Sequence, residues 1–154
     1  MNLLEDFKNK LLGLYHNRNQ AYTNPQMWAH IFTKIEENDR GEIISKSWYA
    51  IEDENNPYKK VSLELKETQN KIIVTPYNID NGYKTCDIEF SYDGQFWIGE
   101  NEKCEIIDRG IYISTSIKFD GINYFSRDAG YDLSNRNFLW GKQKHEGMFH
   151  FIKV

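Results

Sequence analysis

The chain has 154 residues, 27% of them charged and 15% aromatic, with 19 basic and 23 acidic side chains mixed along its length for a net charge of −4. That length predicts one domain with a core of useful size. The ring content excludes a disordered chain, and the lack of a basic stripe argues against a nucleic-acid partner.

The opening MNLLEDFKNKLLGLYHNRNQ sets acids and lysines among its leucines. It is therefore neither a signal peptide nor a membrane span, no membrane association is expected, and a cytoplasmic address follows. Leu3, Phe7 and Leu14, with Leu4, Leu11 and Tyr15, recur at helical spacing and predict one amphipathic helix over residues 3–16. Residues 17–26 follow as a polar hinge stopped by Pro25. From there only strands are predicted, at 27–37, 42–52, 59–67, 70–78, 86–92, 95–99, 104–108, 110–119, 122–128 and 147–154. Turn chemistry separates them, with Asp93-Gly94 and Asp120-Gly121 as the clearest hairpin signals, since both central residues of a type I′ turn need φ > 0.

Regular spacing without a crossover helix predicts an antiparallel meander. Closing it removes the exposed edges, and a barrel of about eight strands or more leaves room for a small ligand. The expected fold is mostly β: an antiparallel calycin- or lipocalin-like β-barrel with one N-terminal α-helix, a single domain over residues 1–154. An open sandwich is the alternative.

Alternation sorts the strands into faces. One face of residues 43–52 shows Ile44, Lys46, Trp48, Ala50 and Glu52; the other shows Ile43, Ser45, Ser47, Tyr49 and Ile51. Neither is purely apolar, so either brings polar groups inward. Residues 111–119 divide more cleanly, setting Ile111, Ile113, Thr115, Ile117 and Phe119 against Tyr112, Ser114, Ser116 and Lys118. A buried polar group needs a partner, and a ligand is one way to supply it; an outward one sees water.

The usual catalytic motifs are absent from the sequence, and His16, His30, His145 and His150 lack metal-ligand spacing, so neither a metal nor a cofactor is expected. Cys86 and Cys104 are too few for a disulfide framework or a zinc site; they pair across neighbouring strands or remain buried thiols. Neither has a histidine placed nearby in sequence to activate it. If the chain is an enzyme, its reactive group comes from elsewhere.

NQAYTNPQMWAHI, residues 19–31, is similar to the opening of the T-type phycobiliprotein lyases, the CpcT/CpeT family. FSRDAGYDLSNRNFLWGKQKHEGMFHF, residues 125–151, resembles that family's closing signature: Asp-Arg-Gly-Arg-Asp, a polar turn, Leu-Trp-Gly, then Phe-His-Phe. Between them Tyr49 and the run Asn55-Asn56-Pro57-Tyr58-Lys59 look like the family's Tyr and its Asn-x-Pro-Tyr-Arg element. Cys86 and Cys104 fall where members carry a cysteine pair.

The resemblance implies a calycin-like barrel that binds a linear tetrapyrrole, a phycobilin such as phycoerythrobilin. It further implies delivery or attachment of that pigment to a cysteine of a phycobiliprotein β subunit, by addition of the partner's thiol to the ethylidene of ring A. The apoprotein then supplies the missing nucleophile. On that footing Trp28, Trp48, Tyr49 and Trp140 are candidate walls for the conjugated body, and Lys46 and Lys59 candidate cations for the propionates. Asp128, and secondarily Asp132, would face the pyrrole N–H groups, where a carboxylate favours the protonated, more electrophilic bilin. Asp128 is thus the candidate catalytic residue. Both acids alternatively cap a turn at Gly130 through backbone N–H groups; the two readings are even for Asp128, and the turn is favoured for Asp132.

Departures carry weight too. Ala129 and Tyr131 stand where the family has arginines, and Lys59 where it has another, which removes planar bidentate cations. The stretch between Tyr77 and Cys86 is much shorter than the partly helical insertion of typical members. With a composition leaning to Asn, Lys, Ile and Tyr, this suggests a trimmed, phage-type member. Such a chain could be a bilin chaperone that binds pigment without transferring it. Carriage of another apolar ligand such as a fatty acid, and a filled barrel serving only protein contacts, are further alternatives. A homodimer is left open.

Overall fold

The computed structural model describes residues 2–154. Helix α1, Leu3–Leu11, starts where the Asn2 side chain accepts the Glu5 N–H at 3.0 Å, with Glu5 and Asp6 in its first turn and Lys8 and Lys10 in its last. That charge order suits the helix dipole. The predicted helix over 3–16 is too long: Leu12 is already extended, and Gly13–His16 form strand β1 against β2, Ile31–Glu37. Glycine ends the helix cheaply, and Leu14 and Tyr15 gain more from a sheet partner than from another helical turn.

The predicted polar hinge is also corrected, since it contains helix α2, Arg18–Thr23. Two side chains seat it. Buried Asn17 donates to the Ala29 carbonyl at 2.8 Å and accepts the Ile31 N–H at 2.7 Å, and Gln20 bonds the Met148 carbonyl and the His150 N–H.

The remaining strands are β3 (Ile43–Tyr49), β4 (Lys59–Thr68), β5 (Lys71–Asn78), β6 (Ile88–Tyr92), β7 (Trp97–Ile106), β8 (Ile111–Phe119), β9 (Asn123–Asp132), β10 (Phe138–Gly141) and β11 (Phe149–Lys153). Every pairing is antiparallel, in the order β9-β11-β1-β2-β3-β4-β5-β6-β7-β8, and β8 pairs back onto β9. The sheet is therefore a closed barrel, and the open sandwich is set aside. Strand β10 lies outside this ring. Residues 123–126 of β9 carry β11 on one edge, and Ala129–Tyr131 farther along that edge carry β10.

Three segments differ from expectation. Residues 95–99 and 104–108 do not form separate strands: most of both join in β7, with a register shift between Asn101 and Cys104. Strand β9 continues past Asp128, so Gly130 is sheet rather than turn. The β6–β7 and β8–β9 hairpins form where expected, but at each turn only the glycine has positive φ. Asp93 and Asp120 instead accept N–H groups of the following residues, so the side chain closes the turn.

Helix α1 closes one end of the barrel. Fully buried Phe7 meets Phe90, Trp97 and Phe119 edge-on, with ring centroids 5.2, 5.2 and 5.1 Å away. Asp6 accepts the Trp97 indole N–H at 3.0 Å, and Lys10 donates to the Tyr92 hydroxyl at 3.0 Å. Among the described residues, no helix is long and apolar enough to cross a membrane.

Removing the Phe7 ring should cost about 3–5 kcal/mol. Urea unfolding of Phe7→Ala is expected to show that loss, and Phe7→Leu a smaller one; equal stability of Phe7→Ala and the parent would contradict the role of the plug.

Candidate functional site

Above α1 the barrel encloses a cavity of about 480 Å³, a size ordinary for small-molecule sites. Its floor includes Phe7, Leu11, Phe90 and Tyr124. Its walls come from alternate residues of neighbouring strands: Val61 and Leu63 of β4, Val74 and Pro76 of β5, Ile111, Ile113 and Ile117 of β8. Register explains the selection, because Leu63 lies opposite Pro76 and antiparallel partners share a face.

Polar groups in the lining include Ser45, Asn78, Thr115, Lys59, Arg109 and Asp128. Thr115 and Asp128 are cross-strand partners, and the threonine hydroxyl donates to Asp128 Oδ1 at 2.8 Å. Asp128 Oδ2 accepts from Lys59 Nζ at 3.3 Å. Strands β4 and β9 are not neighbours in the sheet, so this ion pair spans the barrel. Its side chains are 50% and 38% exposed, so it contributes at most about 1 kcal/mol and opens readily. Burial, with smaller contributions from Tyr15 and Asp128, pushes the Tyr124 phenol well up, and it stays a neutral hydroxyl at the cavity base.

Trp140 enters from β10. Its indole packs against β9 at Gly130, where an added Cβ would sit under 3.0 Å from the ring. Only glycine permits that approach.

Of the residues singled out from the sequence, Lys59, Asp128 and Trp140 line this cavity; Trp28, Lys46, Trp48, Tyr49 and Asp132 are not in its lining. Lys46 and Trp48 alternate with cavity-lining Ser45 and take the outer face of β3: Lys46 pairs with Glu54 at 3.5 Å, and Trp48 stacks on Phe32. Trp28 packs edge-on against Phe149 beneath the Lys142 ammonium. Tyr49 stacks on Tyr58, ring centroids 4.5 Å apart, and both rings are partly exposed. Asp132 accepts the Ser134 hydroxyl and the N–H groups of Ser134 and Asn135, bonds that hold its carboxyl below the usual carboxylate range. It caps the turn after β9, not one at Gly130.

Arg109 was not anticipated. It sits in the short 3-10 turn after β7, lines the cavity, and lays its guanidinium over the Tyr83 ring at 4.3 Å. Cys86 and Cys104, left open between pairing and free thiols, form a disulfide in the same wall.

No protein-family model matches the chain. A chromophore lyase CpcT/CpeT of Synechococcus sp. (strain WH8020) is 36% identical to it over 180 residues, covering 96% of this chain and 90% of the relative. The chain belongs to the CpcT/CpeT chromophore lyase family. A second CpcT/CpeT lyase, from Thermosynechococcus vestitus, is 22% identical over 171 residues, 90% of this chain and 86% of its own length. The T-type phycobiliprotein lyase CpeT of Prochlorococcus phage P-HM1 superposes with a TM-score of 0.76 at 26% identity, covering 100% of this chain and 99% of that one. The CRL protein of Arabidopsis shares the fold, with a TM-score of 0.77 at 16% identity over 96% of this chain and 95% of that one.

Gly130→Ala should unseat the Trp140 indole. Acrylamide quenching of tryptophan fluorescence is expected to rise in that variant and to stay unchanged when the same substitution is made in a Trp140→Phe background; an equal rise in both would contradict the contact.

Proposed function

We propose that this chain binds a phycobilin in the barrel cavity and delivers or attaches it to a cysteine of a phycobiliprotein β subunit, as a cytoplasmic lyase on a calycin-type barrel. Membership of a chromophore lyase family supports the class of activity. The observation that carries the site is the cup itself: apolar walls, a floor sealed by Phe7, and Asp128 held between Thr115 and Lys59 in its lining.

The chemistry follows from the ligand. Its conjugated body suits the isoleucine and valine walls and the Trp140 indole. Its propionates need cations, and Lys59 and Arg109 are both in the lining. Arg109 supplies a planar guanidinium although Ala129 and Tyr131 do not. A propionate that takes the Lys59 ammonium frees Asp128 Oδ2 for the pyrrole N–H groups. The carboxylate then stabilises the protonated bilin, whose ring-A ethylidene accepts the partner's thiol: sulfur bonds the exocyclic carbon, and a proton goes to the ring carbon. The bilin is substrate throughout.

Two alternatives fit less well. A fatty-acid carrier has no use for a carboxylate in the lining, whereas a ligand with N–H donors does. A filled barrel is at odds with the open volume above Phe7. The chaperone variant, binding without transfer, draws support from the short connection at residues 79–87 between β5 and β6.

Adding phycoerythrobilin should sharpen and red-shift its visible absorbance. Asp128→Asn is expected to lose much of that shift and Asp132→Asn to keep it, while Lys59→Ala should weaken binding up to about tenfold, or about 1.4 kcal/mol. An unaltered spectrum for Asp128→Asn removes that residue from the site. Incubation with apo-β subunit then separates lyase from chaperone: pigment that survives denaturation, formed faster than without the protein, means transfer.

A further inference from the structure

The disulfide is placed where a tetrapyrrole binder has most reason to avoid free thiols. Cys86 and Cys104 both line the main cavity, in company with Ile88, Ile113 and Arg109. Cys104 lies on β7 just after the register shift, opposite Ile113, and is almost fully buried. Cys86 lies near the end of the 79–87 connection before β6, and its N–H points at the Cys104 sulfur at 3.2 Å. A second, open pocket of about 330 Å³ lies against the same two cysteines and is lined by Lys84, Thr85 and residues 105–108. The two cysteines therefore border both the ligand cavity and the open pocket.

We infer that Cys86 and Cys104 are a redox-protected modification site: oxidised, they are an inert part of the cavity wall; reduced, they are internal nucleophiles that capture the bound bilin. This rests on the phycobilin reading given above. A dithiol entering from the outer pocket exchanges with the disulfide, is itself oxidised to its cyclic disulfide, and leaves two protein thiols. A freed thiolate is the attacking form. It adds to the ring-A ethylidene as the partner's thiol would. One sulfur–carbon bond forms, the ethylidene double bond is consumed, and a proton ends on the ring carbon, with no further oxidant and no leaving group. The product is pigment fixed to its own carrier. The disulfide thereby keeps the pigment available for the acceptor protein.

The test uses the full chain with phycoerythrobilin, before and after reduction with dithiothreitol and removal of excess reagent under argon. The oxidised protein should bind pigment reversibly and lose it on denaturation. The reduced protein should retain pigment in acid urea, with a mass gain of one bilin mapped to the peptide of Cys86 or Cys104. Single variants Cys86→Ser and Cys104→Ser, each leaving one thiol, should label without reductant, and the double variant should bind reversibly under all conditions. Reversible binding by both the oxidised and the reduced protein, with no adduct in either single variant, overturns this inference and leaves the proposed function standing. Failure of the oxidised protein to bind pigment overturns both. An adduct mapped to any other residue overturns the assignment to this pair.

Discussion

Phe7 is the residue on which the cup depends. It projects from α1 into the barrel and meets three rings edge-on, while Asp6 and Lys10 fasten the helix to Trp97 and Tyr92. A closed antiparallel sheet without this plug would be a tube. With it, apolar side chains above the helix line a volume that has a floor, and Lys59, Asp128 and Arg109 share that lining. Edge-to-face rings at these distances add to simple area burial, so the plug has a defined geometry.

Two further features shape the cavity, and they differ in strength. The contact of Trp140 with Gly130 is steric and fixed: β10 branches off the second half of β9, and the missing side chain lets the indole settle on the strand. The Lys59–Asp128 pair is electrostatic and half-exposed, so it opens readily. On the proposed reading, a dianionic ligand would compete for the lysine. On the same reading, charges that exchange within an apolar wall would suit reversible pigment carriage.

Much of this architecture was legible in the residues, for identifiable reasons. The strand over 111–119 divides so cleanly that the row Ile111, Ile113, Thr115, Ile117 and Phe119 could be read from alternation alone; the first four line the cavity, and Phe119 packs on Phe7 instead. On β3 both faces mix polar and apolar residues, so alternation could not choose between them. Only the pairing of Ser45 with Val61 and of Ser47 with Lys59 sends Lys46 and Trp48 outward. The helix was overextended because Leu14 and Tyr15 satisfy a helical repeat as well as a four-residue strand. Strand β10 buries none of its side chains and is held by backbone pairing, which leaves no hydrophobic signal; the resemblance of Leu139-Trp140-Gly141 to a family signature marked the place but not its form. Arg109 sits in a turn with no periodicity to betray it, and the disulfide joins Cys104 of β7 to Cys86 in the connection before β6, a place that strand alternation does not mark.

The central claim is that pigment enters the cup above Phe7 rather than lying on the outside of the sheet. Methyl-resolved NMR of isoleucine-labelled protein tests it most directly, since the ring currents of a bound tetrapyrrole shift nearby methyl groups. Titration with phycoerythrobilin should move the Ile111, Ile113 and Ile117 methyl signals and leave that of Ile44, on the outer face of β3, in place. Movement of Ile44 with the three inner isoleucines unchanged would contradict it.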